Sequence, residues 1–349
     1  MVERAIHIRK ASGSSPLPPT VVYILIFLIN MDTFHKVGHT NETNAAITQN
    51  VERNIITESV KENGEYFLFM IYNDKSSIDR LDEILVLNEL EAIQTVPNKT
   101  NISLIINSYG GNIYAAVKIL NMIKLKCNYL RVVVPQWAKS AATLMCLGAD
   151  EIVMGEQSEL GPLDKPIEHP HLEGVTISAL DVINALNHLQ IKAKDLMFDI
   201  ASDLTNKFFL NKKDAFEIAC KISLGLVNPI MSKEDPRIIS QSYRLLRIAE
   251  KYGKELIRNG SAKNWQMDEK RKEEFIDIIL DIFVWSYPDH GFAITRQEAK
   301  SLRLKIVLAE NFEKWNLLWN FYLLQRDKKL IKIYNHKQLS NLINQKAFL

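Results

Sequence analysis

Ser140, in the run Ala138-Lys139-Ser140-Ala141-Ala142-Thr143, is the side chain whose neighbours best suit it to act as a nucleophile. A serine hydroxyl attacks a carbonyl only where a base can take its proton, backbone N–H groups await the developing oxyanion, and water is controlled. The pattern predicts a helix from about residue 139 to 147, after a strand over 130–134 and Pro135, which puts Ser140 in the helix's first turn. Unpaired N–H groups and the helix dipole favour negative charge there. The small residues that follow would let a substrate carbonyl approach. An earlier strand-to-helix turn, Ser108-Tyr109-Gly110-Gly111, carries two glycines, which take positive φ at low cost and can aim an N–H into a cleft. Gly110, Gly111 and Ala141 are therefore the candidate oxyanion residues, a single such donor being worth roughly 3–4 kcal/mol in a transition state. Taken singly these features are common, since a serine at a helix start is most often a plain N-cap. Together they point to acyl transfer.

The elements that must position them alternate. Residues 65–72 read as a buried strand, 78–93 as a helix with one apolar stripe, 102–106 as a strand, 113–125 as a helix and 151–154 as a further strand. Strands alternating with helices imply parallel βαβ units with right-handed crossovers, whose ligands gather at the carboxyl ends of the strands. Gly110-Gly111 and Ser140 both follow such ends. Beyond Ser178 the chain turns mainly helical, with Asp235-Pro236 and Thr295-x-x-Glu298 as helix starts and an aromatic segment over 311–324 that reads as packing.

The chain has 349 residues, 47% of them hydrophobic and 24% charged, enough for a substantial core. Its net charge of +2 argues against a nucleic-acid footprint. Three cysteines, none in CxxC spacing, make no disulfide framework, which fits a reducing cytoplasm. Residues 21–31 are apolar but about half the length of a membrane span. Membrane association through residues 20–31 is accordingly not favoured, and Met31 is a candidate true start. The expected organisation is an extension over 1–40, a catalytic domain over 41–230 and a helical region over 231–349.

The stretch 101–167, from the glycine turn through Val134-Pro135, Ala138 to Thr143, Ala149 to Met154 and Leu160-Gly161-Pro162-Leu163-Asp164, resembles the serine dehydrogenase proteinase family. Its relatives are the Clp protease proteolytic subunit and signal-peptide peptidase A, within the crotonase-like superfamily. Tyr287 to Gly291, with Ile294-Thr295 and Glu298-Ala299, is similar to that family's closing segment. The resemblance implies an α/β Clp/crotonase-like parallel sheet with a helical C-terminal region, a serine peptidase acting on peptides or proteins, and self-association into a homo-oligomer. Two positions depart from the family pattern: Tyr109 stands for a proline and Ala142 for a glycine. No histidine occupies the loop where a Clp-type one would fall, so a Ser-Lys arrangement is expected, with Lys194 or Lys165 as base and Asp164 as base or orienting group. His169 and His171 lack a third ligand for a metal, and His290 reads as a structural residue at a turn. No cofactor or metal is implied. Two further readings stay open: a crotonase-like acyl-CoA enzyme using the same paired N–H groups, and a non-catalytic peptide-binding scaffold.

Overall fold

The computed structural model describes residues 65–93, 100–164, 166–168 and 173–346. The expectations for residues 1–63, including the extension, the apolar run and the Met31 start, lie outside the described residues. The described residues form two compact units, one drawn from 65–163 and 249–346 and one from 164–248.

In the first unit, strands β1 (Glu65–Ile71), β2 (Asn101–Asn107), β3 (Tyr129–Val134), β5 (Glu151–Met154), β10 (Ile306–Leu308) and β11 (Leu330–Asn335) build a six-stranded sheet in the order β10-β5-β3-β2-β1-β11. All neighbours run parallel except β11, which is antiparallel to β1. Strands β1, β2, β3 and β5 are buried along almost their whole length, as their continuous apolar runs demand of a sheet covered on both faces. Helices α1 (Arg80–Glu91) and α2 (Ile113–Lys126) are the right-handed crossovers and share one face. The other face carries Phe67, Phe69, Ile105, Val133 and Val153, packed on Leu318, Phe321 and Tyr322 of α9 (Trp315–Gln325) and Leu339 of α10 (His336–Lys346). The aromatic segment is thus core. The C-terminal part is not helical alone: it supplies both edge strands of the sheet.

Two short strands, β4 (Trp137–Ala138) and β6 (Glu159–Leu160), pair parallel, and β9 (Ile294–Thr295) joins β6 antiparallel. Helix α3 (Ala141–Leu147) follows β4 and is buried throughout. The remaining helices of this unit are α7 (Glu269–Asp281), which passes into a π turn over Ile282–Ser286, and α8 (Arg296–Ser301). The second unit holds the hairpin β7 (Pro166–Glu168) and β8 (Thr176–Ser178) and the antiparallel pair α4 (Ala179–Asn206) and α5 (Lys212–Met231), capped by Ser178 and Asn211. Helix α6 (Pro236–Asn259) starts at its proline. Among the described residues no single helix is long and apolar enough to cross a membrane.

A buried polar cluster ties the amino-terminal ends of the strands. Arg131 of β3 reaches Glu65 of β1 at 2.9 Å and Glu151 of β5 at 2.5 Å, Ser103 of β2 donates to Glu65 at 2.7 Å, and Lys314 pairs with Glu65. Removing the cation that bridges two buried carboxylates costs about 3–5 kcal/mol. Denaturant unfolding of Arg131→Ala should show a loss of that order. Burial, the largest single influence, would raise the Glu151 carboxyl, but Arg131, Tyr129 and Lys305 together outweigh it and hold the group below the usual glutamate value. The unfolded chain therefore binds this proton more tightly. The resulting stability is complete above the ordinary value of about 4.3 and is lost as pH falls through the depressed folded value. Unfolding free energies measured from pH 7 down to pH 3 should fall less steeply in Glu151→Gln than in the parent.

Candidate active site

Local sequence explains why two turns meet at the carboxyl ends of β2 and β4. Asp79 caps α1 by accepting from the N–H groups of Leu81 and Asp82, while Asp82 returns a bond to the Asp79 N–H. That capping box fixes Ile78, a buried residue just ahead of it. Ile78 N–H donates to Gly110 C=O and Ile78 C=O accepts from Asn112 N–H, both at 2.8 Å. A Cβ on Gly111 would lie 2.3 Å from the Ile78 carbonyl oxygen, so this approach admits only glycine. Asn112 then caps α2, accepting from Tyr114 and Ala115.

The other side of the turn is stitched to β4. Ser108 N–H donates to Trp137 C=O at 3.1 Å, and Lys139 N–H donates to Ser108 C=O at 2.9 Å. Gly110, at φ +103°, would place a Cβ 2.9 Å from Ser140 Cβ and 3.1 Å from the Ala141 nitrogen. The glycine turn and the serine turn are therefore in contact, as the sequence reading required. Gly110 N–H is committed to Ser108 Oγ at 3.0 Å, so Gly110 shapes the turn. Among the described residues, the N–H groups of Gly111 and Ala141 have no hydrogen-bond acceptor.

Ser140 is half-buried, with φ 49° and ψ −116°, a conformation rarely adopted by a residue with a side chain. Such backbone costs about 1–3 kcal/mol and persists only where its surroundings over-determine it. Its side chain makes no cap bond to α3, so it is not the plain N-cap that serine usually is in this position. A sharp, strained strand-to-helix turn is a known way to present a serine hydroxyl.

Three neighbours hold that turn. Thr143 is buried; its hydroxyl lies 2.6 Å from Ala138 C=O and 2.9 Å from Gly161 C=O, and accepts from Gly161 N–H at 3.0 Å. Lys139 is buried, paired with Glu159 at 2.8 Å and directed at the carbonyls of Leu160, Gly291 and Phe292 at 3.1–3.4 Å. Gly161 packs on it, a Cβ there falling 2.5 Å from Lys139 Cδ. Sequence reading missed Lys139. Its position in a surface-type Ala-Lys-Ser run carried no signal of burial. Of the two departures from the family pattern, Tyr109 stacks on Trp137 at 5.0 Å, bracing the turn that a proline would stiffen covalently. Ala142 is wholly buried, so its methyl group serves packing.

The pattern of the ClpP-like SDH-type serine proteinases matches residues 20–217, more than half of the chain. The chain belongs to that family. Its architecture is the α/β ClpP-like one, with the helical C-terminal region the sequence led one to expect. Two relatives from Methanocaldococcus jannaschii, each described as an uncharacterized protein, are 43% identical over 75 residues and 36% identical over 78 residues. Each match takes in 22% of this chain and 26% or 27% of the relative, so the chain spans about a quarter of the length of the curated relatives it matches.

Lys165, His169 and His171 are outside the described residues. Asp164 and Lys194 belong to the second unit. Asp164 is buried and accepts from Leu180 N–H in the first turn of α4 at 3.2 Å, a brace for that helix start. Lys194 is exposed on α4, along an apolar groove lined by Leu189, Met197, Leu224 and Val227. Among the described residues no group of three His, Cys, Asp or Glu side chains could hold a metal ion. Burial pushes the Cys127 thiol up to about 12 and the Cys146 thiol higher, so both stay protonated and unreactive.

Thr143→Val keeps the volume of the side chain but strands three polar partners. Thermal or denaturant unfolding should show a loss of about 1–3 kcal/mol, of the size a buried unpaired polar group costs. Gly110→Ala forces a methyl group onto Ser140 at a φ that alanine resists. It should destabilise by more than about 1 kcal/mol in the same assay.

Proposed function

We propose that this chain is a peptidase in which Ser140 is the nucleophile and the Gly111 and Ala141 N–H groups hold the oxyanion. The observation that carries the reading is the contact between the glycine turn and a strained, uncapped serine, beside two N–H groups without acceptors. In this scheme Ser140 Oγ bonds to the scissile carbonyl carbon as its proton leaves for a base, and the carbonyl π pair moves onto the oxygen held by the two amides. The tetrahedral species collapses with cleavage of the C–N bond, and the amine departs with a proton. Water then opens the acyl-enzyme by the same steps. Peptides or proteins are the proposed substrates, and self-association into a homo-oligomer is proposed with them. Lys194, Lys165 and Asp164 are the bases that the sequence puts forward.

Treatment with a fluorophosphonate probe tests this reading. Ser140 attacks phosphorus, fluoride leaves, and the adduct is located by peptide mass spectrometry. The expected outcome is one labelled peptide containing Ser140, absent from Ser140→Ala. A folded protein left unlabelled at Ser140 would refute the proposal in favour of a non-catalytic scaffold.

A further inference from the structure

We propose that the turn joining α4 to α5 is a membrane-contacting tip that sets two phenylalanine rings into the interface of an anionic lipid bilayer. This surface is independent of the reading of Ser140. Residues 207–213, Lys-Phe-Phe-Leu-Asn-Lys-Lys, make the turn. Phe208 is 66% exposed and Phe209 88%. Phe198 lies about two turns before the end of α4 and Phe216 lies one turn into α5, and both rings are also exposed. Apolar side chains exposed singly are ordinary. Four aromatic rings gathered at one end of a helix pair are not, and such a patch marks a contact surface.

The backbone at the tip is costly for the residue it holds. Phe209 has φ 56°, in the left-handed region that a bulky side chain rarely takes. Glycine or asparagine would adopt that angle with less strain. Local bonds nonetheless fix the turn. Lys207 N–H donates to Asp203 C=O at 2.8 Å and Leu210 N–H to Leu204 C=O at 3.1 Å, while Asn211 Oδ1 accepts from Asp214 N–H at 3.0 Å and caps α5. The strained ring gains almost no packing in return, so the folded chain by itself derives little from a phenylalanine at this position.

Charge selects the partner. The tip segment 207–213 holds Lys207, Lys212 and Lys213 and no carboxylate. The nearest acids are engaged: Asp203 pairs with Lys207 at 2.9 Å, and Asp214 accepts from Asn211 Nδ2 at 2.6 Å. Lys212 and Lys213 are exposed and make no ion pair among the described residues. Aromatic rings flanked by lysines suit the boundary of an anionic bilayer, where the rings enter the acyl edge and the ammonium groups stay at the phosphates. A second copy docked tip to tip would instead set lysine against lysine. A contact of this kind lies on the membrane and needs no spanning helix.

Co-sedimentation of the full chain with vesicles of phosphatidylcholine, alone or mixed with phosphatidylserine, tests the proposal. The parent is expected to bind the mixed vesicles more tightly than the neutral ones, and to lose that advantage as salt is raised. Burying one phenylalanine ring is worth about tenfold or more in an equilibrium, so Phe208→Ala and Phe209→Gly should each weaken binding by that factor. Lys212→Glu combined with Lys213→Glu should weaken it as well, although acidic residues suit the first turn of α5 and keep the fold. Phe209→Gly separates a membrane role from a structural one. Glycine relieves the strained φ, so the thermal midpoint should match or exceed the parent's while vesicle binding falls. A parent that does not sediment with the mixed vesicles would overturn the proposal, as would phenylalanine and lysine variants that bind like the parent. Light scattering of the free protein covers the rival partner. Loss of self-association in Phe208→Ala and Phe209→Gly, with vesicle binding unchanged, would give the tip to a second copy and overturn the membrane assignment.

Discussion

The candidate site depends on one close backbone contact. The turn over 108–111 lies between Ile78 on one side and the segment 137–141 on the other, held by bonds from Ile78, Asn112, Ser108 and Lys139. Both glycines are required by space as well as by φ, since a Cβ at either would overlap a neighbour at less than 3 Å. Nothing but peptide groups fits between the neighbouring chains there. That restriction is what brings an unpaired amide into the neighbourhood of a serine 29 residues further along the chain.

Keeping that serine in its strained conformation takes a rigid surround. Thr143 ties β4 to Gly161, Lys139 ties the same region to the turn before β9, and Tyr109 leans on Trp137. These partners come from three separate stretches of chain, so the local strain is opposed by contacts that no short peptide could make. The Arg131 cluster plays a matching part at the far end of the strands, where it locks the register of β1, β3 and β5.

Much of the architecture was legible in residue order. The strand over 151–154 and the helix start at 113 coincide with the observed elements, and the strand over 102–106 is observed with one further residue at each end, because buried strands and amphipathic helices write short-range periodicities. The helix expected from 139 begins at Ala141 instead, since Lys139 and Ser140 are drawn into the strand-to-helix turn by the bond to Ser108. The strands β10 and β11 were not legible. They are short, and their pairing partners lie more than 150 residues away. Lys139 was equally silent, because a lysine's burial depends on distant carbonyls and a carboxylate that its own neighbours do not announce.

Residue order alone determined the chemistry on offer: one serine after a strand, two glycines after another, and small residues beside them, all set by the steric and hydrogen-bonding character of adjacent side chains. Folding decided which of those groups meet and which N–H groups stay open. The carbonyls that receive the Lys139 ammonium beside the serine turn come from near residue 290. Such decisions belong to the tertiary structure because hydrogen bonds and close packing act over a few ångströms of space, whatever the distance along the chain.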